Sequence, residues 1–142
     1  MSLAVNVSKA GLFQNDFVDF YTDIKDKYSV PDGVLELEFT ESILAADTEL
    51  FAELVVNLNA RGFICSLDDY GSGYSSLNLL KNLPIDVLKL DILFFHKSRD
   101  IRRERIVVSN VINMARELNI KTIAEGVEDM DTVEFLRKAA AM

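Results

Sequence analysis

The sequence predicts an α/β fold, and within that class an incomplete (β/α) TIM-like barrel with about five of the eight parallel strands. Short segments rich in β-branched residues alternate with longer segments of helical spacing, which is typical of parallel α/β folds. The chain has 142 residues, which accommodates about four and a half units at roughly 31 residues per unit. The alternation also fits an open doubly wound sheet, but polar residues near the carboxyl ends of successive short segments favour the barrel.

Five segments rich in β-branched and aliphatic residues are predicted as strands. They are Leu3–Ser8, Val34–Thr40, Phe63–Asp69, Val87–Asp91 and Thr122–Val127. Alternation along a strand places Glu36 and Glu38 on one face, and Lys89 and Asp91 on one face. The apolar residues of the opposite face are expected to pack against helices. They include Leu35, Leu37, Phe39, Leu88 and Leu90.

Amphipathic spacing predicts the helices between these strands. The first two helices each have one apolar stripe: Phe13, Phe17, Phe20, Tyr21 and Ile24 in the first, and Leu50, Phe51, Leu54, Val55 and Leu58 in the second. Asp47 or Thr48 is predicted to cap the second helix, and Gly62 follows its last turn.

Three further helices are predicted in the second half of the chain. A short one begins near Ser75 and must end at Pro84. The next runs from about Asp100 to Leu118, and the last begins near Asp131. The predicted core face of the second of these helices consists of Ile106, Val107, Val111, Met114, Ala115 and Leu118.

The composition restricts the classes of function. Asp and Glu outnumber Lys and Arg by 23 to 15, which gives a net charge of −8 and a pI near 4.6. A hydrophobic content of 49% is sufficient for one soluble globular domain. The acidic balance opposes binding to a DNA or RNA polymer, because such binding needs a basic surface that releases counterions. An anionic ligand would need cations bound beside it.

The chain has the features of a cytoplasmic domain. No apolar run approaches the roughly 18 to 20 residues of a membrane span. The chain does not open with the basic segment and apolar stretch of a secretory signal peptide. Cys65 is the only cysteine, which excludes an internal disulfide and fits a reducing compartment. Residues 1–3 resemble an expression leader, and the last helix reaches no stop signal. We therefore expect a piece of a larger protein, which leaves room for a membrane anchor elsewhere in the parent chain.

Six polar side chains fall near the carboxyl ends of successive predicted strands: Asn6, Glu38, Asp68, Asp69, Lys89 and Glu125. In a barrel these ends form the mouth at which active sites are built. Crowded carboxylates repel each other, and a divalent cation is the usual remedy. An all-oxygen set that includes an amide suits Mg²⁺ or Mn²⁺ better than zinc.

Most of these features also have a structural interpretation. A single acidic residue at a strand end is more often a helix cap or a solvated turn, whereas a buried lysine ammonium needs a partner. Glu36 lies one layer deeper than Glu38 and is interpreted as a structural ion-pair partner. His96 lies in a polar segment and is interpreted as a surface residue. The stretch Asp68–Leu77, with two glycines and three serines, is interpreted as a functional loop.

Five motifs follow one another along the chain: Asn6-Val7-Ser8, Glu38-Phe39-Thr40-Glu41, the Asp68–Leu77 loop, Ile85-Asp86-Val87-Leu88-Lys89-Leu90-Asp91 and Ala124-Glu125-Gly126-Val127-Glu128. Together they resemble the motifs of the EAL domain, the bacterial phosphodiesterase that opens cyclic di-GMP. The resemblance covers nearly all of the chain, so that residues 1–142 would form the central to C-terminal part of the barrel. The Glu-Ala-Leu tripeptide and the later Gln-Gly-Tyr motif are absent, and we expect them before Leu3 and after Met142.

The resemblance implies a role for each matched position. Asn6, Glu38 and Asp68 would bind one metal ion, and Asp68, Asp69 and Glu125 would bind or orient a second ion and its water. Lys89 would hold the attacking water or a phosphate oxygen, so that Lys89 and Glu125 are the catalytic residues. The remaining matched residues are Glu41, which would steady the glycine-rich loop, Glu128, an accessory carboxylate, and Gly71, Ser72 and Gly73 of the substrate loop.

The resemblance also implies the reaction, the cofactors and the partners. The complete domain would hydrolyse cyclic di-GMP to linear pGpG with two Mg²⁺ or Mn²⁺ ions, accompanied in the parent protein by a sensory or GGDEF domain. A non-catalytic cyclic di-GMP receptor and an interaction fragment with a vestigial site are the alternatives. No matched metal position is substituted, which favours the enzyme. We expect the chain alone to be inactive and to form a homodimer or larger assembly that covers its open sheet edges, unless a helix folds back over them.

Overall fold

The computed structural model describes residues 1–44, 47–71, 77–95 and 99–141. The strands are β1 Leu3–Asn6, β2 Leu35–Thr40, β3 Ile64–Tyr70, β4 Val87–Asp91 and β5 Lys121–Glu125. The helices are α1 Lys9–Leu12, α2 Phe17–Lys27, α3 Glu41–Leu44, α4 Thr48–Ala60, α5 Leu77–Asn82, α6 Ile92–Phe95, α7 Ile101–Glu117 and α8 Met130–Ala141. Three expected features lie outside the described residues: the surface position of His96, the loop residues Ser72 and Gly73, and the start of the short helix at Ser75.

The five strands form one parallel sheet in the order β1-β2-β3-β4-β5. A doubly wound sheet contains a switch point at which the strand order reverses, and the five described strands contain none. Because right-handed crossovers that all advance in one direction leave their helices on the same face, the sheet has the construction of a barrel wall. The prediction of an incomplete barrel with parallel strands is confirmed.

The helix-facing side of the sheet carries the core. Six strand residues on this side are at most 1% exposed: Leu37, Phe39, Cys65, Leu67, Leu88 and Leu90. Helix α4 covers them with Phe51, and the Phe39 and Phe51 rings meet edge to face with centroids 5.1 Å apart. Burial, together with the nearby charge of Asp86, raises the pKa of the Cys65 thiol. Because this face is apolar and buried, the polar strand side chains that could form a functional site lie on the opposite face of the sheet.

Three predicted helix faces are wrong in part. On α7 the buried residues are Glu104, Val108, Val111, Ile112 and Ala115, whereas the predicted core residues Ile106, Val107 and Leu118 are exposed. The buried stripe includes a glutamate, so apolar spacing alone selected the wrong phase of the helix.

In the first predicted helix, Phe17 is buried but Phe13, Phe20 and Ile24 are exposed. The chain there forms two helices, α1 and α2, so that Phe13 does not share a stripe with the others. In α4 the stripe is correct for Phe51 but not for Leu50, which is exposed. None of the helices in the described ranges has the length and apolar character needed to cross a membrane.

The predicted helix ends are confirmed for α4 and α7. The Asp47 carboxylate accepts a hydrogen bond from the Leu50 N–H at 3.0 Å. The Asp100 carboxylate accepts bonds from Arg102 and Arg103 at the start of α7. These bonds satisfy N–H groups that have no partner inside the helix.

We predict that Gly62→Ala destabilises the protein more than Gly33→Ala. Both glycines have positive φ, +86° and +79°, so either alanine costs about 1–2 kcal/mol of backbone strain. At Gly62 the new Cβ would also overlap the carboxylate of Asp32, which pairs with the buried Lys25 at 2.6 Å. At Gly33 it meets no atom of the described residues within 4 Å. Urea denaturation should show about 1 kcal/mol of additional loss for Gly62→Ala, because Asp32 must move away from Lys25, and equal losses would contradict this.

Candidate active site

Strand register brings the predicted polar residues to one end of the sheet. Asn6 pairs with Glu38 across β1 and β2, and Glu125 pairs with Asp91 across β4 and β5. Partners in a parallel register point to the same face, so these side chains lie on the polar face near the carboxyl ends of their strands. Thr40, two residues beyond Glu38, pairs with Asp68. The alignment inferred from strand parity is therefore present in the structure.

Lys89 lies at the centre of a group of glutamates. Its ammonium donates a hydrogen bond to Glu38 Oε1. It also lies 3.8 Å from Glu36 Oε1 and 3.7 Å from Glu125 Oε1. Lys89, Glu36 and Glu38 are each buried, at 8%, 5% and 8% exposure, whereas Glu125 is exposed. One buried cation thus lies among three carboxylates, two of them buried, and the group as a whole stays negatively charged.

The surroundings of Lys89 keep it charged. Burial alone would lower the pKa of Lys89, but the hydrogen bond to Glu38 and the charges of Glu38, Glu125 and Glu36 outweigh that effect and raise the pKa above its ordinary value. The site therefore holds a permanent positive charge at neutral pH.

A β-bulge brings two adjacent aspartates to the site. Leu67 pairs with Leu88, but Tyr70 pairs with Leu90, so β3 has one more residue than β4 over this interval. Asp69 has φ +56°, a conformation uncommon outside glycine, and its N–H donates to the Asp68 carboxylate at 2.9 Å. Adjacent residues of a regular strand point to opposite faces, and the bulge removes that restriction.

Asp69 shares the electrostatic environment of the site. Burial raises its pKa, followed by the charges of Asp68, Asp91 and Glu38. Sequence reasoning did not select Asp91 as a site residue. The available signal was its parity with Lys89 on β4, which places both on the polar face.

The other predicted site residues described here are Asn6, Glu41 and Gly71. Asn6 is exposed at the end of β1, an outer strand of the sheet. Glu41 begins α3, and both of its carboxylate oxygens are buried without a hydrogen-bond partner among the described residues. Burial and the charge of Glu41 raise the pKa of Tyr70, which places Glu41 near the start of the glycine-rich loop. Gly71, with φ +98°, directly follows β3.

The structure does not bring Glu128 into the Lys89 group. Glu128 is exposed between β5 and α8. Within the described ranges it makes no hydrogen bond or ion pair with the site, and so its accessory role remains a prediction.

The donor set suits a hard divalent ion. It consists of amide and carboxylate oxygens, which Mg²⁺ and Mn²⁺ prefer. Burial is the main cause of the raised pKa of Asp69, and the neighbouring negative charges of Asp68, Asp91 and Glu38 add to it. Across the described residues, however, no three acidic, histidine or cysteine side chains converge in a metal-binding arrangement. The ammonium of Lys89 instead lies among Glu36, Glu38 and Glu125. The residue types fit the ions, and ligation by Glu38 would require this ion pair to rearrange.

A family model and a curated relative both match nearly the whole length of this chain. The family model described as EAL domain matches residues 1–141. The chain is 32% identical over 137 residues to the cyclic di-GMP phosphodiesterase PA2567 of Pseudomonas aeruginosa, which covers 96% of this chain and 23% of that protein. The chain thus spans less than a quarter of the length of this curated relative.

Two solved structures are similar in fold. The EAL domain of Mycobacterium smegmatis DcpA has a TM-score of 0.88 and 33% identity, over 98% of this chain and 62% of that one. Klebsiella pneumoniae BlrP1, in a complex with manganese and cyclic di-GMP, has a TM-score of 0.83 and 27% identity, over 97% of this chain and 36% of that one. The DcpA domain is thus similar in sequence as well as in fold. The BlrP1 structure holds a divalent metal together with the cyclic dinucleotide.

Proposed function

This chain belongs to the EAL domain family, and we propose that it forms the central to C-terminal part of a domain that hydrolyses cyclic di-GMP to linear pGpG. The observation that carries the proposal is the buried Lys89 among glutamates at the carboxyl ends of parallel strands, with Asp68 and Asp69 beside them. A permanent cation among acidic side chains can bind a phosphodiester, whereas stability alone would not require this charged group, because apolar residues could replace the lysine and its glutamates together.

The proposed roles are those that the resemblance to EAL domains implies for each matched position. Asn6, Glu38 and Asp68 would hold one Mg²⁺ or Mn²⁺ ion, and Asp68, Asp69 and Glu125 would hold a second. When bound, such ions lower the pKa of a water molecule and neutralise charge that develops on the phosphate. Lys89 would orient the attacking water or a phosphate oxygen with its charged ammonium.

Charge compensation explains how an acidic protein would bind a doubly anionic ligand. The net charge of the chain is −8, and its site residues are mostly carboxylates. Divalent ions reverse the local sign of the potential, and the phosphates of the cyclic dinucleotide then meet a positive surface. The relative PA2567 is named as a cyclic di-GMP phosphodiesterase, which supports the same ligand.

A non-catalytic cyclic di-GMP receptor is the second candidate. It is favoured by the ion pair between Lys89 and Glu38, because this pair satisfies both side chains without a metal ion. In a receptor, Lys89 would bind a phosphate and the carboxylates would stabilise Lys89. The two candidates differ in one measurable respect, since the receptor binds the dinucleotide and leaves it intact.

We predict that Asp68→Asn in the complete domain reduces Mg²⁺-dependent turnover of cyclic di-GMP by about 10²–10⁴-fold. Asp68 is proposed to contact both ions, and loss of one ligand charge misplaces them; a displacement of about 1 Å costs on the order of 10²-fold. Chromatographic separation of cyclic di-GMP and pGpG measures the rate. The matched control is Asp131→Asn, an exposed aspartate paired with Arg105, which should leave turnover unchanged.

The same assay separates the remaining alternatives. Binding of cyclic di-GMP by the unaltered domain with no turnover in Mg²⁺ or Mn²⁺ would establish the receptor. The 142-residue chain on its own should turn over the substrate at least about 100-fold more slowly than the complete domain, because site geometry must be held within roughly 0.5 Å. A rate for the chain near that of the complete domain would show that these residues already contain every group the reaction requires.

A further inference from the structure

We propose that Glu36 is a positioning residue that receives the ammonium of Lys89 when Glu38 binds a divalent ion. This inference rests on the proposed function. It gives a role to a buried carboxylate that no step of the proposed reaction uses. It also explains how a site whose central ligand is held by a lysine can take up a metal.

The geometry singles out one oxygen atom. Glu36 Oε1 lies 3.8 Å from Lys89 Nζ, about 1 Å beyond hydrogen-bond distance. The same Oε1 atom is buried and has no hydrogen-bond partner among the described residues. The other oxygen of this carboxylate, Oε2, accepts a bond from the Ser2 hydroxyl at 3.2 Å. Glu36 therefore presents an unused acceptor to Lys89.

Position in the sheet explains why this acceptor is close. Glu36 and Glu38 are two residues apart on β2 and point to the same face. Lys89 is on β4, and β3 lies between β4 and β2. The four-carbon side chain of Lys89 extends across β3 and brings the ammonium close to both glutamates. A small rotation of the lysine side chain exchanges one carboxylate for the other without any change in the backbone.

The exchange makes metal binding at Glu38 easier. In the structure the ammonium donates to Glu38 Oε1, and a divalent ion at that carboxylate would repel it at close range. If the ammonium had no second acceptor, a buried charge would be left unpaired, which is unfavourable. A bond to Glu36 Oε1 replaces the lost bond and at the same time satisfies a buried acceptor.

Glu125 does not fit this role as well. It lies at a similar distance from Lys89, 3.7 Å, but its side chain is 46% exposed whereas that of Glu36 is 6% exposed. Glu125 is itself proposed to bind or orient the second ion. Glu36 is deeper in the sheet and remains available when both ions are bound.

The test measures Mn²⁺ binding to the complete domain by isothermal titration, without substrate. Glu36→Gln keeps the size of the side chain but offers Lys89 only a neutral acceptor, so the affinity for Mn²⁺ should fall about tenfold. In a Lys89→Met background there is no ammonium to relocate, and Glu36→Gln should change the affinity less than about twofold. An equal effect of Glu36→Gln in both backgrounds would mean that Glu36 acts on the ion directly, and would overturn the proposal.

A second measurement keeps the test decisive if the Lys89→Met background does not fold. The ¹⁵N resonance of the Lys89 ammonium should shift when Mg²⁺ is added to the unaltered domain, and should shift much less in Glu36→Gln. An identical shift in both proteins contradicts the proposal. Glu104→Gln, which alters a buried glutamate on α7, is the matched control and should leave Mn²⁺ affinity unchanged.

The outcomes separate this inference from the proposed function. If the unaltered domain binds Mn²⁺ and hydrolyses cyclic di-GMP but Glu36→Gln binds Mn²⁺ with undiminished affinity, only the role of Glu36 is wrong. If the unaltered domain binds no divalent ion, both the two-ion reaction and the relocation of Lys89 are wrong.

Discussion

Replacing Lys89 with methionine is expected to reduce the turnover of cyclic di-GMP by the complete domain about 10²–10⁴-fold and to destabilise the fold. Methionine has a similar length but no charge, and it leaves Glu36 and Glu38 buried without a cation. Removing one partner of a buried ion pair costs about 3–5 kcal/mol. Turnover is measured with saturating Mg²⁺, and stability by urea denaturation of the same domain.

The pH dependence of this loss follows from the raised pKa of Lys89. A folded-state pKa above the ordinary value of 10.5 means that folding stabilises the charged form, and the contribution to stability is fully present below that pH. The stability difference between the unaltered protein and Lys89→Met, as far as it comes from Lys89, should be constant from pH 7 to about pH 9 and should shrink as the pH rises through the raised pKa.

Lys25→Met is the matched control for Lys89→Met. Lys25 is also buried, at 7% exposure, but it pairs with Asp32, whose side chain is 79% exposed and is solvated when left alone. We expect unchanged turnover and a stability loss of about 1 kcal/mol, since an exposed partner contributes little. Equal losses for the two lysines, or unchanged turnover of Lys89→Met, would contradict the central role of the Lys89 group.

Most of the fold could be predicted because the strands carry two independent signals. β-branched segments mark where the strands are, and strand parity shows which face each residue occupies. Val87–Asp91 is identical in the prediction and the structure, and the other strands differ by one to three residues at their ends. The helices were harder, because a charged residue such as Glu104 can lie on a buried face when its neighbours provide partners.

The candidate site could be predicted only where strand geometry is regular. Parity correctly aligned Asn6, Glu38 and Glu125 with the polar face. It could not place both Asp68 and Asp69 there, because adjacent residues point in opposite directions unless a bulge intervenes. Nor could it show that Glu36, one layer below, comes within 3.8 Å of Lys89. Such distances depend on side-chain length across the sheet, which sequence spacing does not report.

The 142-residue chain is expected to self-associate through its two outer strands. Within the described residues, β1 and β5 each pair with a strand on one side only. Unpaired edges favour pairing with another copy. If each edge leaves four backbone hydrogen bonds unformed at about 1 kcal/mol each, the total is comparable with the ~5–15 kcal/mol that stabilises a domain. Light scattering at micromolar concentration should therefore detect a dimer or larger assembly.

Hydrogen-bond direction shows how to test this prediction. Leu3 donates to Val34, directly before β2, and Val7 donates to Glu38 on β2. Lys121 donates to Asp86, directly before β4. Because N–H groups alternate in direction along a parallel strand, Ala4 and Ala124 point theirs away from the sheet. Proline at these positions removes an edge donor without breaking the ladder.

Ala4→Pro and Ala124→Pro should accordingly reduce self-association of the chain while circular dichroism still shows a folded protein. Ala4→Ser and Ala124→Ser are the matched controls, since they change the side chain but retain the N–H, and they should associate as the unaltered chain does. In the structure α8 packs on α7 of the same chain, where Asp131 pairs with Arg105 and the Ala140 carbonyl accepts from Arg116.

A folded, strictly monomeric species of 16.0 kDa at micromolar concentration would contradict the prediction, because it would show that the outer strands need no partner.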